Sequence, residues 1–238
     1  MGVTVAKLKI MCARSMHEVV TALAYDFTST TGHEVELSFG TVGTLQQRLD
    51  GGETADVVIS GKPAIDTLEK AGQLAAKSRA DIATVRIGVA VREGAPAPDI
   101  STPEAFRQAL VDARAIAFSD PAVGGSAGVY LARMFTELGL ADAIKQKGMP
   151  QPNGGEVARR VAEGKADLGM TLAAEIVPIT GVRVIGPLPK PLGSDTTYCA
   201  GVMATSNARG AALDFIAALK REDRRTVWKE AGFEVAHN

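Results

Sequence analysis

The sequence predicts an α/β protein built on parallel β-sheet, and two observations support this prediction. Short apolar segments rich in β-branched residues alternate with stretches of roughly 10–15 residues that carry apolar side chains at helical spacing. Turns rich in glycine or in hydroxyl residues join several of these strands to the helices that follow them. This alternation is typical of βαβ units, in which a helix connects two parallel strands.

The first third of the chain contains three such strand–helix pairs. The segment 8–13 is apolar nearly throughout, as in a buried strand, and the helix after it ends near Gly32. Its apolar residues at helical spacing are Val19, Val20, Leu23, Ala24 and Phe27. We expect the next strands at 33–40 and 55–60, and helices at 41–49, where Gly51 and Gly52 end the pattern, and at 63–71.

A second set of elements begins with a strand at 85–91. Ser101 and Thr102 before Pro103 are typical of a helix start, because they offer a capping hydroxyl and proline fits the first helical turn. The segment 186–195 is the richest in proline and glycine, and we expect it to cross between two lobes. We expect the remaining strands at 115–118, 166–170, 182–189 and 197–204. One helix is expected to end at Leu138, another to begin at about residue 155, and a final pair of helices to span 208–231.

Composition excludes several classes of function. Of the 238 residues, 46% are apolar and 22% charged, as in an ordinary globular protein. The net charge of −1 argues against a nucleic-acid partner, and no apolar run approaches the ~20 residues that a membrane span needs. Two cysteines, Cys12 and Cys199, are too few for a disulfide framework or a cysteine zinc site. The three histidines lack metal-ligand spacing and no nucleotide-binding motif occurs, so we expect no metal and no cofactor.

The N-terminal segment lacks the basic region, apolar region and cleavage site of a secretory signal. On the sequence as it stands we expect a cytoplasmic protein, and a periplasmic one if a leader has been removed.

Four strand-to-helix turns are candidate anion sites, at 12–16, 40–44, 120–128 and 153–156. A helix N-terminus presents unpaired N–H groups and the positive end of the helix dipole, which together attract anions. In open α/β sheets, ligands lie beyond the carboxyl ends of the strands, where these turns are found. We therefore expect the following residues to bind a small anionic ligand: Arg14, Ser15, Thr41, Val42, Gly125, Ser126, Gly154, Gly155 and Thr171.

Structural roles for some of these residues are open alternatives. Ser15 and Glu18 fit a capping box, so that Ser15 would only cap its own helix. Thr41 and Ser126 can likewise serve as N-caps alone. Arg14 is either a clamp for a carboxylate, which its planar guanidinium matches in two-point fashion, or a residue with a surface or salt-bridge role.

Several motifs carry a resemblance to a known family. They are ARS at 13–15, TTGHEVELSFGTVGTLQQRL at 30–49, GETADVVIS at 52–60, IAFSDP at 116–121, EGKADLGM at 163–170 and AGFE at 231–234. The chain resembles the periplasmic molybdate-binding proteins of ABC transporters and, more broadly, type 2 solute-binding proteins.

The resemblance implies an architecture and partners. It implies two α/β lobes, each a mixed sheet flanked by helices, with the ligand in an interlobe cleft that closes by a hinge. Lobe one would comprise 1–83 and 198–238, and lobe two 84–197. We expect a monomer, with the membrane subunits of an ABC transporter as partners if the chain is exported.

Departures from the molybdate pattern favour another ligand. Val42 replaces a hydroxyl residue of that family's second turn, Leu172 stands where the family has a tyrosine, and Arg14 replaces a small residue. Neutral donors suffice for a tetrahedral oxyanion, whereas an arginine suits a carboxylate. We therefore expect a di- or tricarboxylate, with molybdate or tungstate as an alternative.

A second alternative is an enzyme on the same scaffold. The aconitate isomerases of bacteria are similar in sequence to molybdate-binding proteins, and this chain resembles them too. An allylic proton shift needs an anion cradle and one acid–base group. His17 is the candidate catalytic base, although its place in the first helix also suits a solvated residue.

Overall fold

The computed structural model describes residues 5–235 as two compact units. Unit 1 contains the described residues up to Thr84 together with those from Thr196 onward, and unit 2 runs from Val85 to Asp195. The boundaries expected from the sequence lay after residues 83 and 197.

The first segment of unit 1 alternates strands and helices as predicted. A short 3-10 turn, Arg14–Met16, precedes the first α-helix, and the last strand of the segment continues into unit 2. The elements are β1 (Lys7–Ala13), α1 (His17–Thr31), β2 (Glu34–Gly40), α2 (Val42–Asp50), β3 (Val57–Gly61), α3 (Lys62–Lys70) and β4 (Ala80–Arg92).

Unit 2 contains four further strands and five helices within 85–195. A 3-10 turn, Pro121–Val123, separates its first strand from the helix that follows. The elements are α4 (Pro103–Asp112), β5 (Ile116–Ser119), α5 (Ser126–Glu137), α6 (Ala141–Lys147), β6 (Gly148–Gln151), α7 (Gly154–Ala162), β7 (Leu168–Leu172), α8 (Ala173–Ile176) and β8 (Val182–Pro187).

The chain returns to unit 1 at its second crossing. The elements of this segment are β9 (Asp195–Val202), α9 (Arg209–Leu219), α10 (Arg225–Glu230) and β10 (Glu234–Val235).

Each unit has a mixed sheet. In unit 1, β1 lies between β2 and β3 and runs parallel to both, while β9 is antiparallel to β3. In unit 2, β5 lies between β6 and β7, parallel to both, and β7 is antiparallel to β4. The prediction of an α/β fold with parallel strands is confirmed, and antiparallel pairing of β9 and of β4 makes the sheets mixed.

The helical periodicity seen in the sequence corresponds to buried faces. All five apolar residues predicted for the inner face of α1 are buried, and the helix ends at Gly32, whose φ of 75° is a left-handed conformation that suits glycine. Unit 1 packs α2 and α3 against β1 and β3, with Met11, Leu45 and Ile65 among the buried residues.

Some elements were not predicted. Helix α6, strand β6 and helix α8 are four to seven residues long, too short for a periodic pattern to develop. Strand β8 ends at Pro187, and no strand covers residues 188–194, where Pro189 and Pro191 lack the N–H that a sheet ladder requires.

Candidate functional site

The carboxyl ends of β1, β2 and β3 lie at one edge of the unit 1 sheet. The strands are parallel, and Ala13 at the end of β1 is in register with Gly40 at the end of β2. Cys12 is in register with Ile59 in β3. The turns that begin at Arg14 and Thr41 therefore emerge side by side, and the sequence-predicted residues of unit 1 share this edge.

Ser15 is held by a tyrosine from the returning strand. Its hydroxyl donates a hydrogen bond to the hydroxyl of Tyr198 at 2.7 Å, and Tyr198 is only 2% exposed. Helix α1 begins at His17 with Met16 as its N-cap, and no side chain caps it. The capping-box alternative for Ser15 is wrong, because the 3-10 turn at Arg14–Met16 shifts the helix start past the serine.

Arg14 is exposed at the first residue of that 3-10 turn. The salt-bridge alternative for Arg14 is not realised within residues 5–235, where its guanidinium has neither an ion pair nor a hydrogen bond. The surface role considered for Arg14 fits this exposure, and a ligand-clamp role for Arg14 stays a prediction.

Thr41 and Val42 lie at the start of α2. Thr41 is the N-cap, and its hydroxyl accepts a hydrogen bond from the Thr44 amide at 3.1 Å, so the capping role considered for it is confirmed. Val42 is the first residue of the helix, and a Cβ built on Gly61 would lie 3.6 Å from its side chain. The carboxyl end of β3 and the start of α2 are therefore close to each other.

Ser60 is a residue of this edge that sequence reasoning missed. It is the penultimate residue of β3, lies opposite Cys199 of β9 and is 2% exposed. Its buried hydroxyl has no hydrogen-bond partner among the described residues. The available signal was a hydroxyl residue at the end of the otherwise apolar segment VVIS, at the same strand end as the predicted turns.

His17, the predicted base, is half-exposed at the start of α1. Its Nδ1 lies 3.1 Å from a carboxylate oxygen of Glu18, and its side chain is 49% exposed. The ring packs against Phe39, with 4.4 Å between ring centroids. His17 directly follows the Arg14–Met16 turn, and its catalytic role stays a prediction.

The corresponding edge of unit 2 carries a polar cluster. Ser119 ends β5 and Thr171 is the penultimate residue of β7, and their hydroxyl oxygens are 2.8 Å apart. The Thr171 hydroxyl donates to a carboxylate oxygen of Glu175 at 2.8 Å, and the Gly154 amide donates to the other oxygen at 3.3 Å. Thr171 and Gly154 were predicted as site residues, whereas Ser119 and Glu175 were missed.

The remaining predicted residues lie at two helix starts of unit 2. Gly125 is the N-cap of α5 and Ser126 its first residue, and no side chain caps this helix, so the capping alternative for Ser126 is wrong. A Cβ built on Gly125 would meet no atom within 4 Å, so its surroundings are open. Gly155 is the second residue of α7, whose N-cap Asn153 accepts a hydrogen bond from the Glu156 amide at 3.0 Å.

Neither cysteine has the properties of a nucleophile. Burial raises the pKa of the Cys12 thiol, and burial followed by the hydrogen bond to Asp81 raises the pKa of Cys199 to about 12. Arg79 forms ion pairs with both Asp66 and Asp81 next to this thiol, so the cluster is satisfied internally. A thiol kept protonated is unreactive at neutral pH.

The described part of the chain contains no cluster of three or more potential metal-ligating side chains. Within 5–235, none of the helices combines the length and the apolar character needed to cross a bilayer. A groove of about 330 Å³ in unit 2 is lined by Val91, Ala113 and Leu168, at the amino ends of β5 and β7 and away from the polar cluster.

Comparison with known proteins identifies the family. Residues 8–234 match the family described as bacterial extracellular solute-binding protein. The chain belongs to this family. Solved structures with a similar fold include the substrate-binding domain of a putative molybdenum ABC transporter from Clostridium difficile, with a TM-score of 0.78 and 22% identity over 98% of this chain and 100% of that one. The periplasmic molybdate-binding protein of Azotobacter vinelandii has a TM-score of 0.75 and 22% identity, covering 97% of this chain and 100% of that one.

Two relatives of this solute-binding protein have named functions. An aconitate isomerase from a Pseudomonas species is 30% identical over 236 residues, which are 97% of this chain and 88% of the relative. The molybdate-binding protein ModA of Escherichia coli K12 is 24% identical over 237 residues, or 96% of this chain and 89% of the relative. The resemblance to molybdate-binding proteins and to aconitate isomerases that the sequence motifs indicated is confirmed.

Proposed function

We propose that this solute-binding protein binds a small di- or tricarboxylate through the turns at its strand ends. The observation that carries the proposal is Arg14, an exposed guanidinium one residue before Ser15 that has no carboxylate partner within the described chain. A guanidinium fork matches a carboxylate in two-point geometry, and charge-assisted hydrogen bonds are stronger than neutral ones. An arginine at this edge therefore favours a carboxylate ligand over an oxyanion held by neutral donors.

Hydroxyl and amide donors complete the predicted binding set. In unit 1, Ser15 is oriented by Tyr198, and in unit 2 the open start of α5 offers Ser126 and the backbone beside Gly125. Helix starts favour negative charge because of their unpaired N–H groups. The cleft position of the ligand that the resemblance implies stays a prediction.

The similarity to an aconitate isomerase supports the class of ligand. Aconitate carries three carboxylates, and the Pseudomonas relative with that name is similar over nearly the whole chain. The molybdate-binding relative, which is less similar, supports an anion but not this class.

The test is a calorimetric titration with cis-aconitate, trans-aconitate, citrate, molybdate, tungstate and sulfate. We expect saturable binding of at least one tricarboxylate and no heat from the tetrahedral oxyanions. Binding of molybdate together with no binding of any carboxylate would contradict the proposal.

A second candidate function is isomerisation of an unsaturated tricarboxylate. The 30% identity to the aconitate isomerase favours it. His17 is the group that we propose as acid–base catalyst, beside Arg14 and Ser15 at the end of β1. Proton NMR of the protein with cis-aconitate would follow the trans isomer. Turnover that is lost in His17→Asn supports this candidate. Binding of cis-aconitate without turnover contradicts it and supports a protein that only binds its ligand.

As a receptor, the protein would deliver its ligand to the membrane subunits of an ABC transporter. Membership of the solute-binding family supports this class of partner. We expect the protein to act as a monomer, which sedimentation at micromolar concentration would test.

A further inference from the structure

Ser60 is buried near the end of β3, and its hydroxyl has no hydrogen-bond partner among the described residues. A buried donor without an acceptor costs free energy, so most buried hydroxyls in proteins are paired. Ser60 is an exception among the buried polar side chains of residues 5–235. The others all form hydrogen bonds, and they are His33, Ser78, Ser119, Gln151 and Thr171.

The side chain of Ser60 lies on the face of the unit 1 sheet that α2 and α3 cover. Ser60 is opposite Cys199 of β9, and residues directly opposite each other in antiparallel strands project to the same face. Cys199 packs in one apolar cluster with Leu45 of α2 and Ile65 of α3. Val58, two residues before Ser60 and thus on the same face, belongs to this cluster too. The hydroxyl of Ser60 therefore lies between the sheet and these helices, at the carboxyl end of β3.

The start of α2 lies beside the end of β3. A Cβ built on Gly61, the residue after Ser60, would lie 3.6 Å from the side chain of Val42, the first residue of α2. The first amides of a helix have no partner within it and carry a partial positive charge. Gly61 has no side chain that would keep an anion at these amides away from Ser60. The helix start and the unpartnered hydroxyl are therefore neighbours at this edge.

The end of β1 is the other neighbour of Ser60. Because Cys12 is in register with Ile59, Ala13 lies beside Ser60, and Arg14 and Ser15 follow directly. The guanidinium of Arg14 is exposed there, and the hydroxyl of Ser15 is held by Tyr198. The predicted ligand donors of unit 1 and the hydroxyl of Ser60 thus belong to adjacent strand ends.

We propose that Ser60 is a ligand-binding residue whose hydroxyl donates a hydrogen bond to a carboxylate of the bound anion. An ionised carboxylate only accepts hydrogen bonds, so it supplies the acceptor that the described residues do not give Ser60. A hydrogen bond to a charged acceptor is stronger than one between neutral groups. The free energy that the unpaired hydroxyl costs in the free protein is then recovered on binding. This inference rests on the proposed function, because it assigns one more donor to the same anion site.

The experiment measures both stability and binding in Ser60→Ala, which removes only the hydroxyl oxygen. Thermal unfolding is followed without ligand, and calorimetric titration uses cis-aconitate, citrate and sodium molybdate as probes. We expect Ser60→Ala to unfold at a higher temperature than the parent and to bind the tricarboxylate at least about tenfold more weakly. These opposite changes distinguish a binding residue from a structural one.

The matched control is Ser78→Ala, at a buried serine of the same unit. The hydroxyl of Ser78 donates to the Ala75 carbonyl at 2.7 Å and accepts from the Val202 amide at 3.1 Å. Val202 pairs with Val57 at the start of β3, the end opposite to Ser60. We expect Ser78→Ala to unfold at a lower temperature than the parent and to bind the tricarboxylate as the parent does.

Equal affinity of Ser60→Ala and the parent for every probe that the parent binds would overturn the inference. A lower unfolding temperature of Ser60→Ala would also overturn it, because the hydroxyl would then already have a partner in the free protein. The molybdate arm separates this inference from the proposed function. If the parent binds molybdate and neither tricarboxylate, the proposed function fails, while a tenfold loss of molybdate affinity in Ser60→Ala still supports a ligand contact at Ser60. A parent that binds none of the three probes would overturn the inference.

Discussion

The hydroxyl of Ser15 donates a hydrogen bond to the hydroxyl of Tyr198 at 2.7 Å, which connects the turn after β1 to strand β9. The two residues are 183 positions apart in sequence, so the first turn of the chain is positioned by one of its last strands. This contact orients Ser15 beside Arg14, at the edge where we place the ligand.

Replacing Tyr198 with phenylalanine removes the acceptor for Ser15 while it keeps the buried ring. We expect Tyr198→Phe to lower the free energy of unfolding by about 1 kcal/mol, the usual net contribution of a hydrogen bond. Urea denaturation measures this change, with Tyr25→Phe as the control, because Tyr25 is 75% exposed. Equal stability of the two variants would show that the Ser15–Tyr198 contact contributes nothing.

Ser60 and Ser119 form a matched pair of buried serines near the ends of β3 and β5. The hydroxyl of Ser60 has no partner among the described residues, whereas that of Ser119 bonds to Thr171. A buried polar group without a partner costs about 1–3 kcal/mol. We expect Ser60→Ala to raise the free energy of unfolding and Ser119→Ala to lower it, as measured by denaturant titration. The same sign of change in both variants would contradict this assignment.

Stability at alkaline pH depends on the two thiols. Burial raises the pKa of Cys199 to about 12 and also raises the pKa of Cys12. Both thiols therefore stay protonated in the folded protein at pH values at which they ionise in the unfolded chain. Their contribution to stability is therefore present below the ordinary thiol pKa of about 9 and falls as the pH rises above it. We expect neither thiol to react with a disulfide reagent at pH 8 until the protein unfolds. Rapid labelling of the folded protein would contradict the burial of both groups.

We expect Ser126 to contribute less to ligand binding than a charged residue does. We expect Ser126→Ala to weaken tricarboxylate binding by about 1 kcal/mol, or about fivefold, because the backbone donors at the start of α5 remain. Calorimetry measures the change, and Ser101→Ala, on the loop before α4, is the control. A loss above about a hundredfold would mean that the hydroxyl, and not the backbone, holds the anion.

The order of strands and helices was predictable because it depends on local patterns. The buried face of α1 and its end at Gly32 follow from apolar spacing and from a glycine stop signal. The parallel pairing of β1 with β2 and β3 follows from the βαβ alternation. Helix α8 was missed because four residues are too few to show apolar side chains at helical spacing.

The site was predictable only where a turn motif marks it. Arg14, Ser15 and Thr41 follow strand ends that the sequence shows, so their shared edge was foreseen. Tyr198 and Glu175 reach these edges through contacts between segments far apart along the chain or within a helix too short to predict. Their contacts depend on how segments distant in sequence pack together, which no local sequence pattern indicates.

The role of Arg14 is the central claim, and its direct test is a calorimetric titration of Arg14→Ala with the tricarboxylate that the parent binds. Loss of a desolvated charge-assisted contact costs about 2–5 kcal/mol, or about 30-fold to several thousand-fold in affinity. Arg92→Ala is the matched control, since Arg92 is an exposed arginine at the end of β4 that also has no ion pair within 5–235. We predict that Arg14→Ala loses at least about 30-fold in affinity at unchanged stability while Arg92→Ala binds as the parent does. An Arg14→Ala variant that binds the tricarboxylate with the affinity of the parent would contradict the account.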